Sequence, residues 1–175
     1  MATQRIIDFL AQNRPEGPCL VVDLDVVQRN YETFTRALPD SRIFYAVKAN
    51  PAPEVPSLLA DLGSNFDTDS VPELELAMAA GASPERISFG NTIKKERDIA
   101  RAYEMGVRLF AVDCVEEVEK IARVAPASRV FCRILTDGEG AEWPLSRKFG
   151  CEPAMAVDVM SHARTVGLTP YGISF

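Results

Sequence analysis

The chain has 175 residues, the size of one domain or of a piece of a larger protein. Hydrophobic residues make up 47% and charged residues 25%, a balance that supports a packed core and excludes intrinsic disorder as the main state. Nineteen Lys and Arg against 25 Asp and Glu give a net charge of −6. No basic cluster exceeds Lys94-Lys95-Glu96-Arg97, so a general nucleic-acid binder is excluded.

The residues from Met1 to Leu10 lack a basic stretch followed by an apolar one, and no apolar run approaches the roughly 18 residues of a membrane span. The expectation is a cytoplasmic protein with no membrane partner. Four cysteines (Cys19, Cys114, Cys132 and Cys151) include no C-x-x-C pair, which argues for buried thiols and against a metal site or a redox motif.

In chain order, the spacing predicts a helix over Arg5 to Gln12, a strand-like run from Pro18 to Asp23, and an amphipathic helix from Leu24 to Leu38. Residues 1–40 therefore read as a helix and a strand-like segment leading into the regular part of the chain, either a lid or the first strand of a second domain. Over 41–175 short apolar runs begin at 43, 65, 87, 108, 130 and 171, separated by 22, 22, 21, 22 and 41 residues. Between them lie helical patterns such as Val55, Leu58, Leu59 and Leu62, closed by Gly63, Gly81, Gly106 and Gly167.

Strands separated by single helices specify a parallel sheet with right-handed crossovers. The first strand runs into Val47-Lys48-Ala49-Asn50-Pro51 with no G-x-G-x-x-G turn, which favours a (β/α)8 barrel over an open nucleotide-binding sheet. Six strands are countable, so the expectation is a TIM-type barrel truncated after about six strands. Its edge strands would be unpaired, and Phe44, Phe89, Phe110 and Phe131 are expected to face inward without an opposing layer, which predicts a chain that is not a stable monomer by itself.

In such a barrel the reacting groups stand at the carboxyl ends of the strands. There the sequence places Lys48, Asp67, Asn91 and Asp113, with Arg133 near the middle of the fifth strand. A lysine concluding the apolar run Phe44-Tyr45-Ala46-Val47 is expected to be partly desolvated, with a lowered pKa and an accessible neutral amine. The alternative is a snorkelling lysine at the rim. His162, the only histidine, reads as a satisfied or solvent-facing side chain, and Lys94 to Arg97 as a solvated helix start. Trp143 sits in a long stretch, Thr136 to Arg147, that explains the 41-residue interval and leans toward a functional loop.

Five strings decide between these readings: Tyr45-Ala46-Val47-Lys48-Ala49-Asn50, Phe66-Asp67-Thr68-Asp69-Ser70 with Glu73, Ile87-Ser88-Phe89-Gly90-Asn91 with Lys94, Phe131-Cys132-Arg133-Ile134, and Lys148-Phe149-Gly150. In that order and spacing, from about Pro18 to Phe175, the chain resembles the fold-type III pyridoxal-phosphate decarboxylases, and among them the ornithine decarboxylases, including the bacterial lysine/ornithine enzymes. The resemblance implies the alanine racemase-like barrel, pyridoxal 5′-phosphate as cofactor, and decarboxylation of ornithine, or also lysine, to a diamine such as putrescine in polyamine biosynthesis. It further implies a homodimer.

By the same resemblance Lys48 holds the cofactor covalently and is the catalytic residue, while Asp67, Glu73 and Arg133 line the cofactor face of the pocket. Lys148 is implied to make a salt bridge across the dimer near the active site. Asp69 departs from the family, which usually has a small residue there, and an added carboxylate would alter the charge balance around Lys48. In the family a histidine, a glycine-rich phosphate loop, a glutamate and a C-terminal β-domain come after the strand ending at Phe175, so these 175 residues alone are expected to be nearly inactive. Diaminopimelate and arginine decarboxylases share the fold and remain rivals, as does a catalytically silent, decarboxylase-like regulator that binds a protein partner.

Overall fold

The computed structural model describes residues 2–136 and 148–175; Trp143 and its stretch lie outside them. Two helices come first, α1 (Gln4–Asn13) and α2 (Leu24–Ala37), close to the predicted bounds. Thr3 and Asp23 cap them by accepting from the backbone N–H groups of Ile6 and Asp25. Between the helices, residues 18–23 form no strand, contrary to expectation, and Leu20 is 84% exposed. An apolar run becomes a strand only where a sheet edge meets it. Here Asp23 instead binds Thr3 Oγ1 at 2.9 Å and caps α2.

From residue 44 strand and helix alternate: β1 (Phe44–Ala46), α3 (Glu54–Asp61), β2 (Asn65–Thr68), α4 (Val71–Ala79), β3 (Ile87–Phe89), α5 (Glu96–Glu104), β4 (Leu109–Val112), α6 (Val115–Val124), β5 (Arg129–Arg133), α7 (Pro153–Thr165) and β6 (Thr169–Ser174). Every strand pairs in parallel with its sequence neighbours, in the order β1-β2-β3-β4-β5-β6. The predicted barrel fold is thus present as a six-stranded parallel sheet that does not close. The sheet is curled so that its edges approach: Arg42, just before β1, donates to the Tyr171 hydroxyl of β6 at 2.6 Å. Gly63, Gly81, Gly106 and Gly167 all take positive φ at helix ends, as the sequence predicted.

The register sorts the side chains. Phe66 pairs with Ile87, and Thr68, Phe89 and Phe110 lie in one row; these residues are buried against the helices together with Val112, Val130 and Cys132. Ala46, Asp67 and Ser88 form the alternate row. With Phe44, Leu109 and Phe131 they line a concave cavity of about 420 Å³. Phe44 and Phe131 therefore face inward as expected, whereas Phe89 and Phe110 do not. In β4 both faces are apolar and give no alternation, and in β3 the single polar residue, Ser88, is the one mark of the pleat. The thiols also divide: Cys132 and Cys151 are buried, Cys114 is half-buried and Cys19 is exposed.

Lys94 overturns the reading of a solvated charge run. Its ammonium is enclosed between the sheet and the helices, donating to Asn91 O at 2.8 Å and Ala111 O at 2.6 Å and lying 3.1 Å from Glu117 Oε1. Lys120 supports Glu117 from outside at 2.5 Å. Burial pulls the Lys94 pKa down to about 8, although Glu117 opposes the shift. A folded-state value below the unfolded one means that the unfolded chain binds the extra proton, so stability rises as pH passes from about 8 toward the unfolded lysine value of about 10.4. Measured by chemical denaturation against Lys94→Met, the wild-type chain should gain on the order of 3 kcal/mol between pH 7 and pH 10.5. A difference that is flat with pH would contradict the enclosed, charged Lys94.

Candidate active site

The string Tyr45 to Asn50 builds a rigid perch at the carboxyl end of β1. Val47 is fully buried and opens a single 3-10 turn, Val47–Ala49, while the Tyr45 hydroxyl donates to Asn50 O at 3.2 Å. Asn50 Oδ1 accepts from Ala52 N at 3.1 Å and fixes the exit. Lys48 is thereby pushed to the rim, with its side chain 63% exposed and Nζ 2.8 Å from Asp69 Oδ2.

Asp67 and Asp69 reach the same rim from β2 and the residues just after it. Asp67 accepts a hydrogen bond from Ser88 Oγ of the adjacent strand at 2.6 Å. Gly90 makes that position available, since a methyl group there would lie 2.7 Å from Asp67 Cγ and closer still to its oxygens. Asp69 N donates to Glu73 Oε2 at 2.8 Å, so Glu73 serves the N-terminal turn of α4. Lys48 thus faces three carboxylates, those of Asp69, Asp67 and Glu73, and their effect is the reverse of the one expected from its apolar strand. The hydrogen bond that Lys48 donates to Asp69 raises the Lys48 pKa, with burial as the smaller, opposing influence. Burial raises the Asp67 carboxyl, partly countered by Ser88.

Farther round the rim, Arg133 ends β5, on the Phe131 side of the pleat and half-buried. Asp113, following β4, accepts from Gly150 N at 3.1 Å and fastens the Lys148-Phe149-Gly150 segment. A glycine is required there: φ is +109°, and a Cβ would lie 2.9 Å from the Ile134 carbonyl carbon. Lys148 itself is exposed. Asn91 makes a turn, its Oδ1 accepting from Ile93 N at 3.2 Å. His162 lies away from the rim on α7, with Nε2 3.4 Å from Glu119. The structure therefore gathers Lys48, Asp67 and Glu73, brings in Asp69, whose effect on the charge around Lys48 the sequence had flagged, and adds Ser88 and Gly90. Ser88 and Gly90 carried only a weak sequence signal, a small polar residue and a glycine two positions apart in an otherwise apolar strand.

Residues 24–175 match the family described as pyridoxal-dependent decarboxylase, pyridoxal binding domain. The chain belongs to this family. The lysine/ornithine decarboxylase of Selenomonas ruminantium is 37% identical over 99% of this chain and 44% of its own length. Antizyme inhibitor 2 of Xenopus laevis is 34% identical over 98% of the chain and 38% of its own length. The crystal structure of SrLDC in complex with PLP and cadaverine superposes with a TM-score of 0.85, at 35% identity, across 99% of this chain and 43% of that one. The chain thus spans less than half the length of these relatives.

The family's cofactor is pyridoxal phosphate, which carries an aldehyde and bonds to a primary amine. The rim fits such a group. Lys48 offers an amine in the open at the strand ends, and the half-buried Asp67 carboxylate beside it is held by Ser88 in a space that Gly90 keeps clear. Gly90→Ala should displace the Asp67 carboxylate from Ser88 and lower stability by about 1–3 kcal/mol in chemical denaturation. It should also lower retention of the cofactor on dialysis. Unchanged stability and retention would show that the close approach of Gly90 to Asp67 is unimportant.

Proposed function

We propose that this chain supplies the lysine-bearing half of a decarboxylase that acts on ornithine, and also on lysine, to release carbon dioxide and a diamine such as putrescine. The observation that carries the reading is Lys48 held at the carboxyl rim of a parallel sheet within the field of Asp67. Support for the substrate comes from the lysine/ornithine decarboxylase that the chain resembles over 99% of its residues. When bound, pyridoxal phosphate draws off the electron density that decarboxylation leaves on the α carbon.

On this reading Lys48 is the catalytic residue: it anchors the cofactor by its amine and afterwards takes up and returns a proton at Nζ. Asp67 holds a negative charge beside that amine and orients it. Glu73 fixes the turn that carries Asp69, and Arg133 offers a guanidinium to anionic groups from β5. We assign Lys148 to a salt bridge across a homodimer, an assignment that rests on the family resemblance and is compatible with its exposure. All four cysteines are unpaired, which suits a reducing compartment, and we place the protein in the cytoplasm. Among the described residues no helix is long and apolar enough to cross a membrane.

A second reading, a silent regulator, is favoured by two observations: Lys48 is already occupied by Asp69, and antizyme inhibitor 2 is among the relatives. Carbon dioxide release from ornithine, lysine, arginine and diaminopimelate by the whole decarboxylase of which this chain is the lysine-bearing half separates the readings. Turnover should be highest with ornithine. Lys48→Ala should lose it by about three orders of magnitude or more, and Lys48→Arg should do no better, because a guanidinium is essentially never a neutral nucleophile. Near wild-type turnover by either variant would refute the role of Lys48, and no turnover of any substrate would favour the regulator.

A further inference from the structure

The contact between Lys48 and Asp69 is built into the fold. Asp69 lies just beyond β2, its backbone N–H is held by Glu73 at 2.8 Å, and its side chain is two-thirds enclosed, with Oδ2 2.8 Å from Lys48 Nζ. The other carboxylates facing that amine are engaged elsewhere: Asp67 accepts from Ser88 and Glu73 accepts from Asp69 N. Asp69 is thus the group that takes the ammonium directly. An ammonium has no free electron pair and cannot bond to an aldehyde carbon.

We propose that Asp69 is a positioning residue that holds the proton of Lys48 and so sets the pH above which Lys48 takes up an aldehyde cofactor. The inference rests on the reading of Lys48 as the cofactor lysine. Capture begins when Nζ loses one proton, which passes by way of the Asp69 carboxylate to water. Nζ then bonds to the aldehyde carbon, and the aldehyde oxygen leaves as water with the two remaining amine hydrogens, so atoms and charge balance. Asp67 and Glu73 also favour the charged amine, but neither is in contact with it, so they form a background that remains when Asp69 is removed.

The test reads covalent capture rather than turnover. The full chain is incubated with pyridoxal phosphate from pH 6 to pH 10 and reduced with borohydride, and the mass of the Lys48 peptide is read. Over this range labelling at a given pH should rise about three- to tenfold in Asp69→Asn and Asp69→Ala, the free-amine gain of a pKa lowered by about half a unit to one unit. Asp69→Glu should restore the wild-type profile. Asn preserves the shape of the turn, and a melting curve of each variant establishes that it folds. A second probe needs no cofactor: brief acetylation by acetic anhydride across the same pH range reads the free amine of Lys48 directly and should show the same gain.

Coincident profiles in wild type, Asn and Ala variants by both probes would overturn the role of Asp69. A gain in pyridoxal phosphate labelling with no gain in acetylation would also overturn it, since that reports charge repulsion of the phosphate and not proton holding. Failure of the underlying reading has a different signature: acetylation shifts as expected, yet pyridoxal phosphate labels Lys48 at no pH in any variant. That result would leave Asp69 as the counter-ion of a lysine that takes no cofactor, and would overturn the proposal as stated.

Discussion

Parallel strands held in one register send alternate side chains to opposite faces, and the site depends on that constraint. The row Ala46, Asp67, Ser88 faces the cavity, while the row Phe66, Ile87 and its continuation through Phe89 and Phe110 faces the helices. A one-residue slip between β1 and β2 would move Asp67 into the helix interface and Phe66 into the cavity. The carboxylate would lose Ser88, and Lys48 would lose the charge that β2 delivers. The buried Phe66, Phe89 and Phe110 penalise that slip, so the apolar layer maintains the polar one.

At the rim itself electrostatics outweigh desolvation. Lys48 ends an apolar strand, but its side chain extends past the buried Val47 into partial exposure, where burial counts for less than a direct partner. Lys94 is the opposite case. Its side chain is fully enclosed, so burial dominates even with Glu117 at 3.1 Å. Two lysines beyond the strand ends thus come to opposite protonation biases through the depth at which each ammonium sits.

The regular parts of the chain were legible because they obey short-range rules. Helices α1 to α7 follow apolar spacing, and the glycines that end four of them adopt the left-handed backbone that their positions implied. The barrel topology came from the near-constant strand interval. Three features were not legible, each for a long-range reason. The family resemblance flagged Asp69 as altering the charge around Lys48 but not that the Lys48 pKa would rise, and the partner of Lys94 arrives from 23 residues away, so its environment is set by the next βα unit rather than by neighbours in sequence. The inward assignment of Phe89 and Phe110 failed because β4 is apolar on both faces and in β3 only the small Ser88 marks the cavity face. The run from Pro18 to Asp23 has strand-like composition but no pairing edge.

The central claim is that the curled sheet presents one particular amine to the cofactor. The sequence has five lysines, at 48, 94, 95, 120 and 148, and they differ sharply in setting. The most direct measurement is a site map: the full chain loaded with pyridoxal phosphate at a single pH, reduced, digested, and each lysine-containing peptide quantified for the added group. The account predicts that Lys48 carries essentially all of it, while the enclosed Lys94 and the exposed Lys148 carry none above background. Label centred on another lysine, or spread over the surface lysines in proportion to their exposure, would contradict it.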